Sequence, residues 1–148
     1  QPFELLKVRE NFTVVIGNTG VSGPTKAIVG EVRQRWQADP ERYERLFDEI
    51  GAIARQARTS MEQRDPTGLG PLMSLNQALL QALDVSSPEL DRLVDAAMQA
   101  GAHGAKLCGA GRGGNMIALV DPERAEAVAA SLQQAGASHT IITTIHKT

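Results

Sequence analysis

Residues 104–120 read GAKLCGAGRGGNMIALV, in which a glycine-rich loop separates two apolar runs. The second run, 116–120, is short and apolar, which predicts a buried strand, and 105–107 predict a shorter extended segment. Between them, four of the six residues from 109 to 114 are glycine. Glycine tolerates left-handed backbone and leaves room for close approach, so we predict a strand, a bare loop and a second strand.

The glycine loop (residues 109–114) satisfies the pattern GxGxxG but lacks the context of a dinucleotide fold. That fold needs the glycines to open a helix directly after a strand, whereas this loop leads into a strand. It also lacks the GxxxxGK[ST] order of a P-loop. Two interpretations stay open from the spacing alone: inward-turned amides could form an anion site, or the loop could be a tight bend without a ligand.

Working outward, periodicity predicts helices in the middle of the chain and strands at both ends. Apolar spacing and start signals indicate helices near 25–37, 39–61, 72–83, 87–100 and 121–135, and the second begins with Asp39 and Pro40. Thr25 or Ser22 is expected to cap the first helix. We predict a polar break at 64–70. Strands are expected at 3–8, 11–16 and 140–145, and segregated helices favour the α+β class.

Composition excludes several classes of function. The chain has 148 residues, enough for one domain, and a formal net charge of −2, so charge gives no reason to expect nucleic acid or an anionic membrane as partner. No apolar run reaches the ~20 residues of a membrane helix. Cys108 is the one cysteine, which excludes an internal disulfide and suits a cytoplasmic protein. The three histidines show no metal-ligand spacing.

Residues 104–115 resemble the third conserved motif of the GHMP kinases, which usually reads K-L-[TS]-G-A-G-G-G-G. Two further segments narrow the resemblance to the mevalonate kinase branch. Residues 18–26 (NTGVSGPTK) are similar to the loop after the first strand, and 73–77 (MSLNQ) are similar to a helix carrying M-x-x-N-Q/H. The three segments occur in the family's order, and the resemblance extends from about residue 3 to residue 145.

The resemblance implies a fold and an activity. The expected fold is the α+β GHMP kinase carboxy-terminal domain, an antiparallel four-stranded ferredoxin-like sheet covered by a helical layer. The expected activity is that of a phosphotransferase with an alcohol acceptor, which moves the ATP γ-phosphate to the C5 hydroxyl of mevalonate in isoprenoid biosynthesis. Such catalysis consists mainly of positioning and charge neutralisation.

The family's ATP-binding loop, P-x-x-x-G-L-G-S-S-A, does not occur in this sequence, and neither do its catalytic aspartate and lysine or its magnesium-binding acid. We therefore expect residues 1–148 to be the carboxy-terminal domain only, inactive alone, with ATP and Mg²⁺ bound mainly by an amino-terminal domain. That domain, mevalonate and ATP are the expected partners, and a homodimer stays open.

The resemblance also implies which residues approach the ligands. None is expected to be catalytic or to bind metal. Thr25 is expected on the substrate side, although a plain helix cap is the competing interpretation. The residues expected near ATP or its phosphates are Lys106, Cys108, Gly109, Ala110, Gly111, Arg112, Gly113 and Gly114.

Single residues carry alternatives. Cys108 stands where threonine or serine is usual, and a thiol donates hydrogen bonds more weakly than a hydroxyl. Arg112 replaces a glycine and could either face the phosphates or point to solvent. Lys106 could be a solvated strand-end lysine. Asn76 is expected to tie its helix to the glycine loop through buried hydrogen bonds.

Other functions stay open. Within the family, the alternatives are phosphomevalonate kinase, homoserine kinase or a galactose-specific relative. In a different class, an α+β domain could be a non-catalytic module that binds a metabolite. The first class requires a second domain for activity, whereas the second predicts ligand binding without one.

Overall fold

The computed structural model describes residues 3–63 and 66–148, and the side chains of 66 and 67 are not described. Four strands form one antiparallel sheet in the order β2-β3-β1-β4. The elements follow the chain as β1 (Phe12–Asn18), α1 (Thr25–Ala38), α2 (Pro40–Glu62), α3 (Pro66–Ala82), α4 (Pro88–Gln99), β2 (Gly104–Cys108), β3 (Asn115–Val120), a 3₁₀ turn (Pro122–Arg124), α5 (Ala125–Gln134) and β4 (His139–Ile145).

The topology confirms the predicted α+β class and its four-stranded antiparallel ferredoxin-like sheet. Strand β2 is parallel to β1, and β4 is parallel to β3. In each case helices connect the two strands and return the chain to the end of the sheet where the earlier strand began. Consequently the end of β1, the end of β2 and the start of β3 lie together at one end of the sheet. Whatever functional residues follow those strands must also lie there.

The main core fills one face of the sheet. Val15, Leu107 and Met116 from the strands are essentially fully buried against helices α4 and α5. The alternation in β3 and β1 produces this face, since every second side chain points to it. From the helices, the same core receives Leu90, Leu93, Ala97, Val128 and Leu132.

Helix α3 covers the free edge of β2. Gly70 and Gly104 allow this approach, because a Cβ built on Gly104 would lie 2.1 Å from the carbonyl oxygen of Gly70. A Cβ on Gly70 would in turn lie 2.4 Å from the carbonyl oxygen of His103. The contact hides an edge that would otherwise offer unpaired main-chain groups. It also fixes α3 against the strand that leads into the glycine loop.

Three predictions about the elements are wrong. Residues 3–8 form no strand, since Phe3 and Leu5 are almost fully exposed and only Val8 is buried. The predicted break at 64–70 is replaced from Pro66 onward by the first turns of α3, because the close contact at Gly70 outweighs its poor helix propensity. Residues 64 and 65 of that break lie outside the described residues.

The third concerns the start of α1. Pro24 is its N-cap residue and no side chain caps the helix, so neither Thr25 nor Ser22 has the predicted capping role. The other helices and strands agree with the sequence prediction to within a few residues. Among the described residues, no helix combines the length and apolarity that crossing a membrane requires.

Candidate functional site

A shallow cleft of about 330 Å³ opens at the end of the sheet where β1 and β2 finish. One wall is the β1–α1 loop (residues 19–24), and the other is the glycine loop. Two segments far apart in sequence therefore face each other across one open space. The cleft is lined by Asn18, Gly20, Val21, Ser22, Gly23, Thr25, Cys108, Gly109, Ala110, Gly111, Gly113, Gly114 and Asn115.

Strand pairing brings the two loops together. Asn18 ends β1 opposite Asn115, the first residue of β3, and the Asn18 side-chain amide donates to the Asn115 side-chain oxygen over 2.8 Å. Beyond the strands, the amide of Thr19 donates to the carbonyl of Gly114 over 2.9 Å, and its hydroxyl donates to the same carbonyl over 3.0 Å. The floor of the cleft is thus an extension of the sheet.

The inner half of the glycine loop (residues 111–114) is held tightly. The amide of Arg112 donates to the carbonyl of Val85, and that of Gly114 donates to the carbonyl of Val21, both over 2.8 Å. A Cβ on Gly111 would lie 1.9 Å from the Val85 carbonyl oxygen. Gly111 therefore requires glycine for space as well as for its positive φ of 97°. At Gly114 a Cβ would meet nothing within 4 Å, and its φ of 75° is what favours glycine there.

The outer part of the glycine loop (residues 109 and 110) is open, together with Cys108 at the end of β2. Cys108 and Gly109 are exposed, and a Cβ on Gly109 would meet nothing within 4 Å. Gly109 nevertheless has a φ of 101°, a conformation that favours glycine. The loop therefore presents bare main chain to the cleft while its other half is anchored, which is an arrangement suited to close approach by a large ligand.

Thr25 lies on the opposite wall as the first residue of α1. It is exposed, and its hydroxyl is not engaged in capping the helix. The first amides of a helix have no acceptor within it, and the helix dipole favours negative charge at this end. The wall that carries Thr25 is consequently a favourable place for an anionic group.

Arg112 does not direct its side chain into the cleft. Its guanidinium forms an ion pair with Glu31 on α1, and its Nε donates to the main-chain carbonyl of Asp84 over 3.1 Å. The Arg112 side chain is therefore held by protein groups and is not free in solvent, and the expectation that Arg112 lies near phosphate stays a prediction. The sequence could not indicate this placement, because Arg112 contacts a residue 81 positions away along the chain, Glu31.

Lys106 is placed away from the cleft as well. Its amine donates to the carbonyl of Leu107 over 2.7 Å, and the side chain lines an apolar pocket between α2 and α3. Burial in this pocket lowers the pKa of the Lys106 amine from its usual 10.5, and the neighbouring Cys108 opposes that shift. The expectation that Lys106 lies near phosphate stays a prediction.

The residue that ties α3 to the strand before the glycine loop is Gln77, not the predicted Asn76. Gln77 is 4% exposed, and its side-chain oxygen accepts a 2.8 Å hydrogen bond from the amide of Leu107. Its side-chain nitrogen donates to Ser86 over 3.2 Å. Asn76 instead lines the apolar pocket beside Lys106. No local signal separated Gln77 from Asn76, because both lie on the helix face of Met73 and the partner of Gln77 is 30 positions away.

Metal binding finds no support in the part of the chain that the structure describes. Over residues 3–63 and 66–148, no three acidic, histidine or cysteine side chains cluster so as to hold an ion. The described residues that line the cleft include no aspartate or glutamate, whose carboxylates are the usual protein ligands of Mg²⁺. The main-chain amides and hydroxyls of the cleft therefore offer a surface for an anionic ligand.

Comparisons with known proteins agree with this geometry. The family profile described as "GHMP kinases C terminal" matches residues 43–138, more than half of the chain. A mevalonate kinase from Pyrococcus horikoshii is 42% identical over 139 residues, which cover 90% of this chain and 41% of the relative. One from Thermococcus gammatolerans is 41% identical over 98% of this chain and 44% of its own length.

Solved structures agree in fold. The crystal structure of L. major mevalonate kinase in complex with R-mevalonate has a TM-score of 0.95 and 31% identity, covering 99% of this chain and 46% of that one. A phosphomevalonate kinase from Streptococcus pneumoniae, in complex with phosphomevalonate and AMPPNP, has a TM-score of 0.78 at 18% identity, which establishes likeness of fold alone. The chain thus spans less than half the length of these relatives.

Proposed function

This chain belongs to the GHMP kinases, and on that basis we propose that it is the carboxy-terminal domain of a mevalonate kinase. The whole protein would transfer the γ-phosphate of ATP to the C5 hydroxyl of mevalonate. The observation that carries the proposal is the 42% identity to a mevalonate kinase over 90% of this chain. Identity to the phosphomevalonate kinase is only 18%, so the corresponding alternative has less support.

We propose that this domain works with an amino-terminal domain. The relatives are more than twice as long as the matched segment. By the resemblance to the family, the ATP-binding loop, the catalytic aspartate and lysine, and the magnesium-binding acid would belong to the other domain. Mg²⁺ would supply charge neutralisation on the transferring phosphate. Since no carboxylate of the described residues lines the cleft, we assign Mg²⁺ to acidic groups of the other domain.

The role of this domain would be to position the triphosphate of ATP and to exclude water from it. The outer part of the glycine loop (Gly109 and Ala110), together with Cys108, would bring main chain close to the triphosphate because these residues carry no bulky side chain. The inner half, with Gly111, Gly113 and Gly114, would stay fixed on Val21 and Val85. A preformed wall of this kind costs no reorganisation when charge develops on the phosphate.

Thr25 would face the acceptor. It stands across the cleft from Cys108 and begins α1, whose positive dipole end favours negative charge. Its hydroxyl, which the helix does not use as a cap, can hydrogen-bond the acceptor. Fixing the acceptor hydroxyl beside a bound nucleotide accounts for much of the rate in phosphoryl transfer.

The decisive experiment assays the full-length gene product with ATP and Mg²⁺ against mevalonate, phosphomevalonate, homoserine and galactose. ADP release is followed by a coupled assay. We expect the highest kcat/KM with mevalonate and none from residues 1–148 alone. A higher kcat/KM with any other acceptor would overturn the assignment of substrate, and turnover by residues 1–148 alone would overturn the assignment of catalytic groups to another domain.

Two properties of the whole protein complete the proposal. We propose a cytoplasmic location, consistent with an ATP-dependent reaction on a soluble metabolite, and fractionation of cells with an antibody to this domain would test it. Sedimentation of the full-length protein would establish whether it is a monomer or a homodimer.

A further inference from the structure

Two residues other than glycine have left-handed backbone among the described residues, and they contact each other. Asp84 has a φ of 59° and Arg112 has a φ of 53°. The Arg112 amide donates to Val85, directly after Asp84, and its Nε donates to the carbonyl of Asp84 itself. Such a conformation costs free energy in residues with a Cβ, so both sites need compensating contacts.

Charged side chains supply these contacts. We define the ionic clamp as the four residues Glu31, Arg35, Asp84 and Arg112. Arg112 pairs with Glu31 and lies 3.7 Å from the Asp84 carboxylate, while Arg35 lies 2.9 Å from the same carboxylate. Arg35 also lies 3.7 Å from Glu31. Two acids and two arginines thus alternate around one junction of α1, the α3–α4 turn and the glycine loop.

The arginines of the clamp are less accessible to solvent than its acids. The side chains of Arg112 and Arg35 are 27% and 32% exposed, whereas those of Glu31 and Asp84 are 44% and 70% exposed. Water therefore screens the Arg112–Glu31 pair less than the pairs that Asp84 makes. The planar guanidinium of Arg112 contacts a carboxylate with one nitrogen and a main-chain carbonyl with another. A lysine could not reproduce that fork.

We propose that Arg112 is a positioning residue, which holds the glycine loop in its open-cleft conformation through Glu31 and Asp84 and does not itself contact phosphate. The inference deepens the proposed function and rests on it, since it concerns the same cleft. The side chain of Arg112 fixes the main chain of the glycine loop at the centre of the loop, between the exposed Gly109 and strand β3.

The competing role is direct phosphate binding by Arg112, which would require its side chain to leave two acids. Removing Glu31 distinguishes the two roles. If Glu31 orients Arg112, its loss weakens the clamp and loosens the loop in the same way as loss of Arg112, to a smaller extent. If Arg112 binds phosphate, loss of Glu31 releases the guanidinium and leaves nucleotide binding intact or stronger.

The experiment uses the full-length protein with Arg112→Gln, Glu31→Gln and the double variant. Glu44→Gln, an exposed position on α2 outside the clamp, is the matched control. Hydrogen exchange of the peptide spanning 109–115 is measured without nucleotide, followed by kcat and the KM for ATP. We expect Arg112→Gln to speed exchange about tenfold and Glu31→Gln about threefold.

The positioning role makes two requirements. The amides of the double variant must exchange no faster than those of Arg112→Gln. Both single variants must lower kcat, and the variant with the faster exchange must lower it more. Unchanged exchange in Arg112→Gln overturns the proposal, as does faster exchange with unchanged kcat. A raised KM for ATP in Arg112→Gln alone, with Glu31→Gln like the control, also overturns it. If mevalonate is not phosphorylated, the proposed function fails, while exchange still decides whether the clamp fixes the loop.

Discussion

The side-chain oxygen of Gln77 accepts a 2.8 Å hydrogen bond from the main-chain amide of Leu107, one residue before the cleft begins at Cys108. This bond joins α3 to the free edge of β2. The same side chain donates to Ser86, whose hydroxyl donates to Asp91 over 2.6 Å. The strand that leads into the glycine loop is therefore held by a partly buried polar network from two helices.

The first prediction concerns this network. Gln77→Leu should lower the free energy of unfolding by about 1–3 kcal/mol, because the Leu107 amide would be left buried without an acceptor. The measurement is urea denaturation. Gln81→Ala is the matched control, since Gln81 contacts Asp91 from an exposed position and should cost about 0.5 kcal/mol or less. Equal losses in the two variants would contradict a special role for Gln77.

The glycine loop gives the second prediction. Gly111→Ala should destabilise the protein by about 3 kcal/mol or more, because the new methyl would overlap the Val85 carbonyl. Gly109→Ala introduces the same methyl at a similar φ but into open space, so it should cost only about 1 kcal/mol. Thermal unfolding compares them. A larger loss from Gly109→Ala would show that steric contact is not what fixes the loop.

Thr25 gives a third prediction, which rests on the proposed function. Thr25→Val should raise the KM for mevalonate about tenfold in the full-length protein, since one hydrogen bond to the substrate would be lost. The KM for ATP should stay unchanged, and Thr25→Ser should restore the wild-type value. Thr59→Val on α2, away from the cleft, is the control. An increase confined to the KM for ATP would place Thr25 on the nucleotide side instead.

The fourth prediction follows from the lowered pKa of Lys106. Burial makes the folded protein bind this proton less tightly than the unfolded chain, so the wild-type protein gains stability as pH rises towards 10.5. Lys106→Met lacks that gain. The stability of the variant relative to wild type should therefore fall as pH rises from neutrality towards 10.5. Urea denaturation at several pH values measures it, and parallel profiles would contradict the assignment.

The architecture was predictable from local patterns. The apolar run 116–120 predicted a strand and not a helix after the glycine loop, which ruled out a dinucleotide-binding fold. Helical periodicity placed five helices, because their buried faces repeat along contiguous sequence. The strand predicted at residues 3–8 was wrong. Loose alternation of apolar residues indicates a strand only if the apolar side chains become buried, and here Val8 alone does.

The supporting residues were not predictable, because long-range contacts define them. Gln77 and Leu107 lie 30 positions apart, and Arg112 and Glu31 lie 81 apart. Asn76 and Gln77 are neighbours with the same amide chemistry, so composition could not show which one turns towards β2. Thr25 stands first in α1 without capping it, since Pro24 already sets the backbone that begins the helix.

Coverage of one sheet edge by α3 has a consequence for handling the protein. The opposite edge, β4, pairs with β1 alone within residues 3–63 and 66–148. Ile141, Ile142 and Ile145 are 52%, 39% and 43% exposed along it. Self-association of this domain should therefore proceed by strand addition at β4, and a lysine in place of Ile141 is the simplest way to keep it monodisperse.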